Sequence, residues 1–215
     1  PTRRLPIDSR NGVEASDITV LVATGMHRGL TEAELQRMID PRVHEAGVNF
    51  LNHNGKDADR LSYLGTTARG SKVYINKLYV ESDIKILTGL VESHFMAGAS
   101  GGRKSICPGL IGEESTKIFH GAEIMADPDS TDLKIEGNPC HAESFEVASK
   151  AGADFIINVT LDHSFNLTGV FAGELKAAHE AAVSHLKSYT AVDYSEEYDI
   201  VVTHAGFVGI NHYRV

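Results

Sequence analysis

Apolar positions along the chain switch between two periodicities. Asp17–Ala23 (DITVLVA) is a short β-branched run bounded by turn formers. Shortly after it Thr31 opens TEAELQRMI, with Thr31 and Glu34 at capping-box spacing. A strand, a loop and a helix are predicted, and His27 falls in the loop at the carboxyl end of the strand, the edge where open α/β sheets bind ligands. Lys72–Asn76 and Ile84–Leu90 (IKILTGL) are predicted strands, the second leading straight into the stretch around His94. Ala142–Ala151 predicts a helix closed by Gly152, Phe155–Thr160 (FIINVT) a strand, Val170–Ser188 a long alanine-rich amphipathic helix, and Asp199–Thr203 (DIVVT) another strand. Strands alternating with helices predict an α/β fold, a mostly parallel sheet with flanking helices. The polar, acidic stretch Ser188–Tyr198 is the expected hinge, dividing the chain into a domain over 1–190 and the hinge plus the start of a second α/β domain over 191–215.

Composition narrows the classes. A chain of 215 residues that is 42% hydrophobic and 23% charged is normal for a soluble globular protein. The net charge of −9, with no clustered Lys or Arg, excludes nucleic acid as the main partner. Cys107 and Cys140 form no C-x-x-C pair, which suits a reduced cytoplasmic setting. No signal peptide and no apolar run long enough to cross a bilayer is read. The first residue is Pro and the last are HYRV, so both ends read as cut, and the chain is expected to be a portion of a larger protein with a loop missing near Ile7.

The chemistry concentrates in HFMAGASGGRKSICPGLIGEESTKIFH, from His94 to His120, which sets a lysine in a glycine-rich loop between two histidines. Small residues let a backbone approach a ligand closely, and glycines supply left-handed turns that aim several N–H groups at an anion. Gly98, Lys104 and Ser105 fall at P-loop spacing, yet Arg103 stands where the second glycine belongs, which weakens an ATPase reading. Backbone N–H groups from Ser100, Gly101 and Gly102, with Arg103, are the expected phosphate contacts. Of eleven histidines, His44, His141, His179 and His185 lie in helical or polar stretches and carry no functional expectation. His27, His94 and His120 each follow or flank a loop at the predicted ligand-facing edge.

The run SHFMAGASGGRKSICPG with its following His120 resembles the nickel-dependent lactate racemase family. Supporting matches are PTR (Pro1–Arg3), DITVLVATGMHRGLT (Asp17–Thr31), NHN (Asn52–Asn54), VYINKLYVESDIKILTGLVESH ending at His94, and INHY (Ile210–Tyr213). The resemblance implies a Rossmann-like N-terminal domain that binds cofactor and carries catalysis. The implied cofactor is a nickel-pincer nucleotide, a pyridinium-3-thioamide-5-thiocarboxylic acid mononucleotide with nickel, tethered through Lys104 as a thioamide. His120 matches the nickel's protein ligand, and a soft sulfur and carbon donor set with one imidazole suits square-planar Ni(II). His27 and His94 match an acid/base pair, and Arg3, Tyr213 and Arg214 match substrate-facing positions. The implied activity is racemisation or epimerisation of a small 2-hydroxy acid by reversible hydride transfer, with cofactor-synthesis proteins as partners. Histidine suits both proton tasks because its unperturbed pKa is about 6.5. Arg214 stands where many lactate-acting members carry glutamine, which opens the substrate to malate or another diacid. A sugar-acid epimerase, a non-catalytic cofactor-binding homolog, and a zinc hydrolase using His27, His94 and His120 are the competing readings, the last lacking any zinc-site spacing.

Overall fold

The computed structural model describes residues 12–193 and 196–202, and there the chain is an α/β fold. In chain order the elements are β1 (Thr19–Val22), α1 (Glu32–Met38), α2 (Pro41–Glu45), β2 (Asn49–Asn52), β3 (Leu61–Thr66), β4 (Lys72–Asn76), α3 (Lys77–Glu81) and β5 (Ile86–Leu90). They continue with β6 (Ser93–His94), β7 (Gly98–Ala99), α4 (Glu113–Phe119), α5 (Ala122–Ala126), α6 (Pro139–Ala151), β8 (Phe155–Leu161), β9 (Leu167–Gly173) and α7 (Leu175–Thr190). The predicted capping box is formed: the Thr31 hydroxyl accepts from the Glu34 amide while the Glu34 carboxylate accepts from the Thr31 amide. Gly152 closes α6 as expected, at φ 75°.

The expected mostly parallel sheet is realised as mixed pairing. β1–β2 and β5–β8 are parallel, whereas β3–β4, β6–β7 and β8–β9 are antiparallel. The reason is connection length: Thr67–Ser71 and Asp162–Asn166 are too short for a crossover helix and allow only hairpins. The Asp162 carboxylate shapes the second hairpin by accepting from the amides of Ser164 and Asn166.

The predicted helix over Val170–Ser188 is corrected at its start. Val170–Gly173 belong to β9, where Val170 pairs with Val159 and Gly173 with Ile156. The change from ladder to helix falls at Glu174, whose carboxylate caps α7 by accepting from the amides of Lys176 and Ala177. α7 also extends to Thr190, two residues past the predicted end at Ser188. Asp199–Val202 form no strand, and Ile200, Val201 and Val202 are exposed. Among the described residues no strand pairs with them; Thr203 lies outside those residues.

α6 and α7 each place a small-residue stripe inward. α6 buries Cys140, Ser144, Val147, Ala148 and Ala151, and α7 buries Ala178, His179, Ala182, Val183 and Leu186, at the three- and four-residue spacing of a core-facing helix. β8 buries Ile156, Asn158 and Thr160 on alternate positions. Ile75, Ile106, Ile111 and Phe119 fill the centre with essentially no exposure, each worth roughly 1.5–3 kcal/mol relative to exposure. Both thiols are free and buried, and burial pushes Cys140 up to about 12, so both stay neutral. Among the described residues no helix is long and apolar enough to cross a membrane.

Candidate active site

His27 stands in the turn after β1, and a set of backbone contacts pins that turn. Asn52 at the end of β2 clasps Leu30, accepting from its amide and donating to its carbonyl, both at 2.9 Å. The Thr24 hydroxyl donates to the His53 carbonyl at 2.9 Å, and the Gly25 amide to the Gly109 carbonyl at 2.8 Å. Gly25 has φ 56°, and a side chain there would meet the Pro108 carbonyl oxygen at 3.1 Å, so both conformation and space call for glycine. Arg28 forks onto Glu34 at 2.7 and 2.8 Å, which with the Thr31 hydrogen bonds holds the Glu34 carboxyl well below the usual carboxylate range. His27 itself is exposed, on the rim of a cavity of about 490 Å³ between residues 25–29 and 52–56. His53 is buried behind it. Its Nε2 donates to the Ile111 carbonyl and its Nδ1 accepts from Asn76, which assigns a neutral ring, and burial lowers its pKa.

The second strand end, that of β5, delivers the glycine-rich loop. His94 pairs with Gly98 in the β6–β7 hairpin, stacks on Phe95 with centroids 4.8 Å apart, and accepts on Nδ1 from the amides of Met96 and Ala97 at 3.3 and 3.1 Å. In the neutral ring the proton therefore sits on Nε2. Ser100 folds back on the strand end: its amide donates to the Glu92 carbonyl at 2.8 Å and its hydroxyl to the Leu90 carbonyl at 3.0 Å. Asn138, almost fully buried at the start of α6, donates to the carbonyls of Met96 and Lys134. A 3-10 turn over Gly102–Ser105 then carries Lys104.

His120 caps the C-terminal end of α4, with its amide donating to the Thr116 carbonyl and its ring edge-on to Phe119. The ring is open to solvent, yet the surrounding protein lowers its pKa, through partial desolvation first and then the charges of Lys104 and His27. Lys104 and His27, from two other segments, thus each lie within electrostatic reach of His120. The link is backbone: the Gly109 amide donates to the Lys104 carbonyl at 3.1 Å while its carbonyl takes the Gly25 amide of the His27 turn. His27, His94 and His120 do not form a group able to hold a metal ion, and among the described residues no three His, Cys, Asp or Glu side chains do.

The family model of the lactate racemase N-terminal domain matches residues 7–132. The chain belongs to the lactate racemase family. A lactate racemase of Thermoanaerobacterium thermosaccharolyticum is 34% identical over 193 residues, covering 90% of this chain and 45% of the relative. That of Lactiplantibacillus plantarum is 34% identical over 181 residues, covering 81% and 41%. The chain therefore spans less than half the length of the curated relatives it matches. The solved lactate racemase apoprotein from T. thermosaccharolyticum superimposes with TM-score 0.75 at 35% identity, covering 78% of this chain and 40% of that one. A Thermotoga maritima protein at 20% identity shares the fold, with TM-score 0.66, covering 79% and 46%.

Against the lactate racemase resemblance, the structure groups His27, Lys104 and His120, and places His94 at the head of the loop that ends in Lys104. The expected phosphate contacts are altered. Arg103 is 1% exposed and faces inward, donating to the carbonyls of Ala99 and Ala97 and reaching His179. The Ser100 and Gly102 amides are already given to the Glu92 carbonyl and to Asn158 Oδ1. Arg3, Tyr213 and Arg214 lie outside the described residues. Asn52, Asn138, Asn158 and His179, which position these loops, carried no sequence expectation beyond the NHN match, since their roles depend on partners far along the chain.

Proposed function

We propose that this chain is the catalytic portion of a 2-hydroxy acid racemase or epimerase, with His27 and His94 as the acid/base pair and Lys104 and His120 holding a nickel-pincer nucleotide. The observation that carries this reading is the backbone tie through Gly109 that joins the turn of His27 to the turn of Lys104, with both charges felt at His120 and with His94 at the head of the loop that bears Lys104. The lactate racemase relatives supply the substrate class, a small 2-hydroxy carboxylate, with lactate first and malate as the variant that Arg214 favours.

The residues present fit the group. Lys104, on a tight 3-10 turn, would tether the group, and the solvent-open helix-end imidazole of His120 would give its nickel a nitrogen ligand, a donor that suits Ni(II) beside sulfur. When bound, the group would supply reversible hydride-acceptor chemistry. The chain's own part is the hydroxyl proton. The two enantiomers present that hydroxyl on opposite sides, so each needs its own proton acceptor, and two histidines meet the need. As it stands, His94 offers Nε2–H as a donor. To take a proton at Nε2 its ring must release the Met96 and Ala97 amides, held at 3.3 and 3.1 Å.

The test is intact-mass and metal analysis of the full-length protein produced together with the cofactor-synthesis enzymes, with Lys104→Ala alongside. The expected result is a mass increment mapped to Lys104 and absent in the variant, nickel near one per chain, and racemisation of a 2-hydroxy acid. Unmodified Lys104 with zinc or no metal, under conditions that load a known lactate racemase, overturns the reading.

A further inference from the structure

We propose that Arg103 and His179 are positioning residues that hold the glycine-rich loop from beneath, turning its carbonyls inward and leaving the Gly101 amide for an anionic group, the cofactor phosphate. The inference rests on the cofactor reading above and names residues that reading does not use.

Arg103 Nη2 donates to the Ala97 carbonyl at 2.7 Å, and Nη1 to the Ala99 carbonyl at 2.9 Å. Nη1 also lies 2.9 Å from His179 Nε2, and that same nitrogen is 2.9 Å from the Ser100 carbonyl oxygen. One ring nitrogen serves one of these partners at a time, accepting from Arg103 or donating to Ser100, and either state ties α7 to the loop. A trans peptide points its C=O and the following N–H in opposite directions. Turning the Ser100 carbonyl toward His179 therefore turns the Gly101 amide the opposite way, away from α7, and that amide, on a buried residue, has no acceptor among the described residues. Packing fixes the same arrangement. A side chain at Gly102 would stand 2.6 Å from His179 Cδ2, and one at Gly101 2.6 Å from Val91 Cγ2.

The charge is the second observation. Arg103 is buried and pairs with no carboxylate among the described residues, and its Nε has no partner. Burial lowers its pKa only to about 10, so it stays protonated at neutral pH, while His179, pushed down to about 4, stays neutral beside it. A buried cation without a counter-charge is unfavourable, and a brace that only tied loop to helix could use neutral donors. An anion on the outer face of the loop supplies the missing charge.

The experiment uses apoprotein of the full-length chain and nicotinic acid mononucleotide as probe, a pyridinium nucleotide without the sulfur arms. Hydrogen exchange is read by peptide over 97–105 and over β8, and probe affinity is compared with that of the corresponding nucleoside, which lacks the phosphate. In wild type the mononucleotide is expected to bind at least tenfold more tightly than the nucleoside. His179→Leu and Arg103→Met are expected to speed exchange over 97–105 by tenfold or more while β8 is unchanged, and to remove the mononucleotide's advantage. His179→Gln, which can still accept or donate one hydrogen bond, is expected to restore both. Equal binding of nucleoside and mononucleotide to wild type overturns the proposal without any variant. So does a loop exchange rate that changes only in step with β8. If Lys104 is never modified under loading conditions yet the exchange and phosphate effects hold, the cofactor identity falls and the positioning role stands.

Discussion

Gly98 and Gly152 share φ 75° but differ in surroundings, which separates two costs usually measured together. A side chain on Gly98 would lie 2.1 Å from the Lys134 carbonyl oxygen, whereas Gly152 has open space around it. Gly152→Ala is expected to cost about 1–2 kcal/mol from backbone strain alone, and Gly98→Ala that amount plus displacement of the Lys134 segment, read as a larger drop in urea midpoint. At the same scale, the two amides on His94 Nδ1 set its tautomer. Nitrogen NMR of the apoprotein is expected to show His94 protonated on Nε2 and bare on Nδ1; the opposite pattern would remove the ring-turning step from the mechanism. His27, His94, Lys104 and His120 stand out in the sequence because they sit in contiguous motifs. The burial of Arg103 has no local sign in the sequence, because its partner His179 lies 76 positions away and no short pattern announces that a polar helix residue packs against a distant guanidinium.

At the scale of elements, local signals proved readable and ladder membership did not. The Thr31–Glu34 box, the bounds of β4 and the glycine stop of α6 are all written within a few residues. Val170–Gly173 carry apolar residues compatible with either a helix or a strand, and only pairing with β8 decides between them. Parallel or antiparallel pairing likewise follows from loop length and partner choice rather than from the strands themselves. The boundary at Glu174 is testable: Glu174→Ala removes a carboxylate that accepts from two amides of α7, and is expected to cost about 1 kcal/mol, or roughly 2–4 °C in Tm. Because α7 carries His179, this variant is also expected to raise exchange over 97–105, though less than His179→Leu.

For the molecule as a whole, two stacked histidines between α6 and α7 set an acid limit. His179 is held down to about 4 and His141 to about 3, burial being the larger cause in both and the Arg103 charge the next. Their unfolded values are near 6.5, so between about pH 6.5 and 4 the unfolded chain binds protons that the folded one refuses. Their contribution is full above pH 6.5 and is lost as pH falls through that window, at up to about 1.4 kcal/mol per unit for each ring. Urea midpoints measured from pH 7.5 to pH 4.5 are expected to fall steadily, and His179→Gln to follow a shallower slope; an unchanged slope would mean that His179 is not held neutral.

The tie between the turn of His27 and the turn of Lys104 is made of peptide groups: Lys104 carbonyl to Gly109 amide, Gly109 carbonyl to Gly25 amide. Gly109 has no side chain, and a Cβ there would stand 2.3 Å from the Ser105 carbonyl oxygen. A frame built from main chain is indifferent to the side chains that decorate it. Side chains lining the cavity, such as Met26, Arg28 and Lys56, can therefore change without moving the two turns relative to each other.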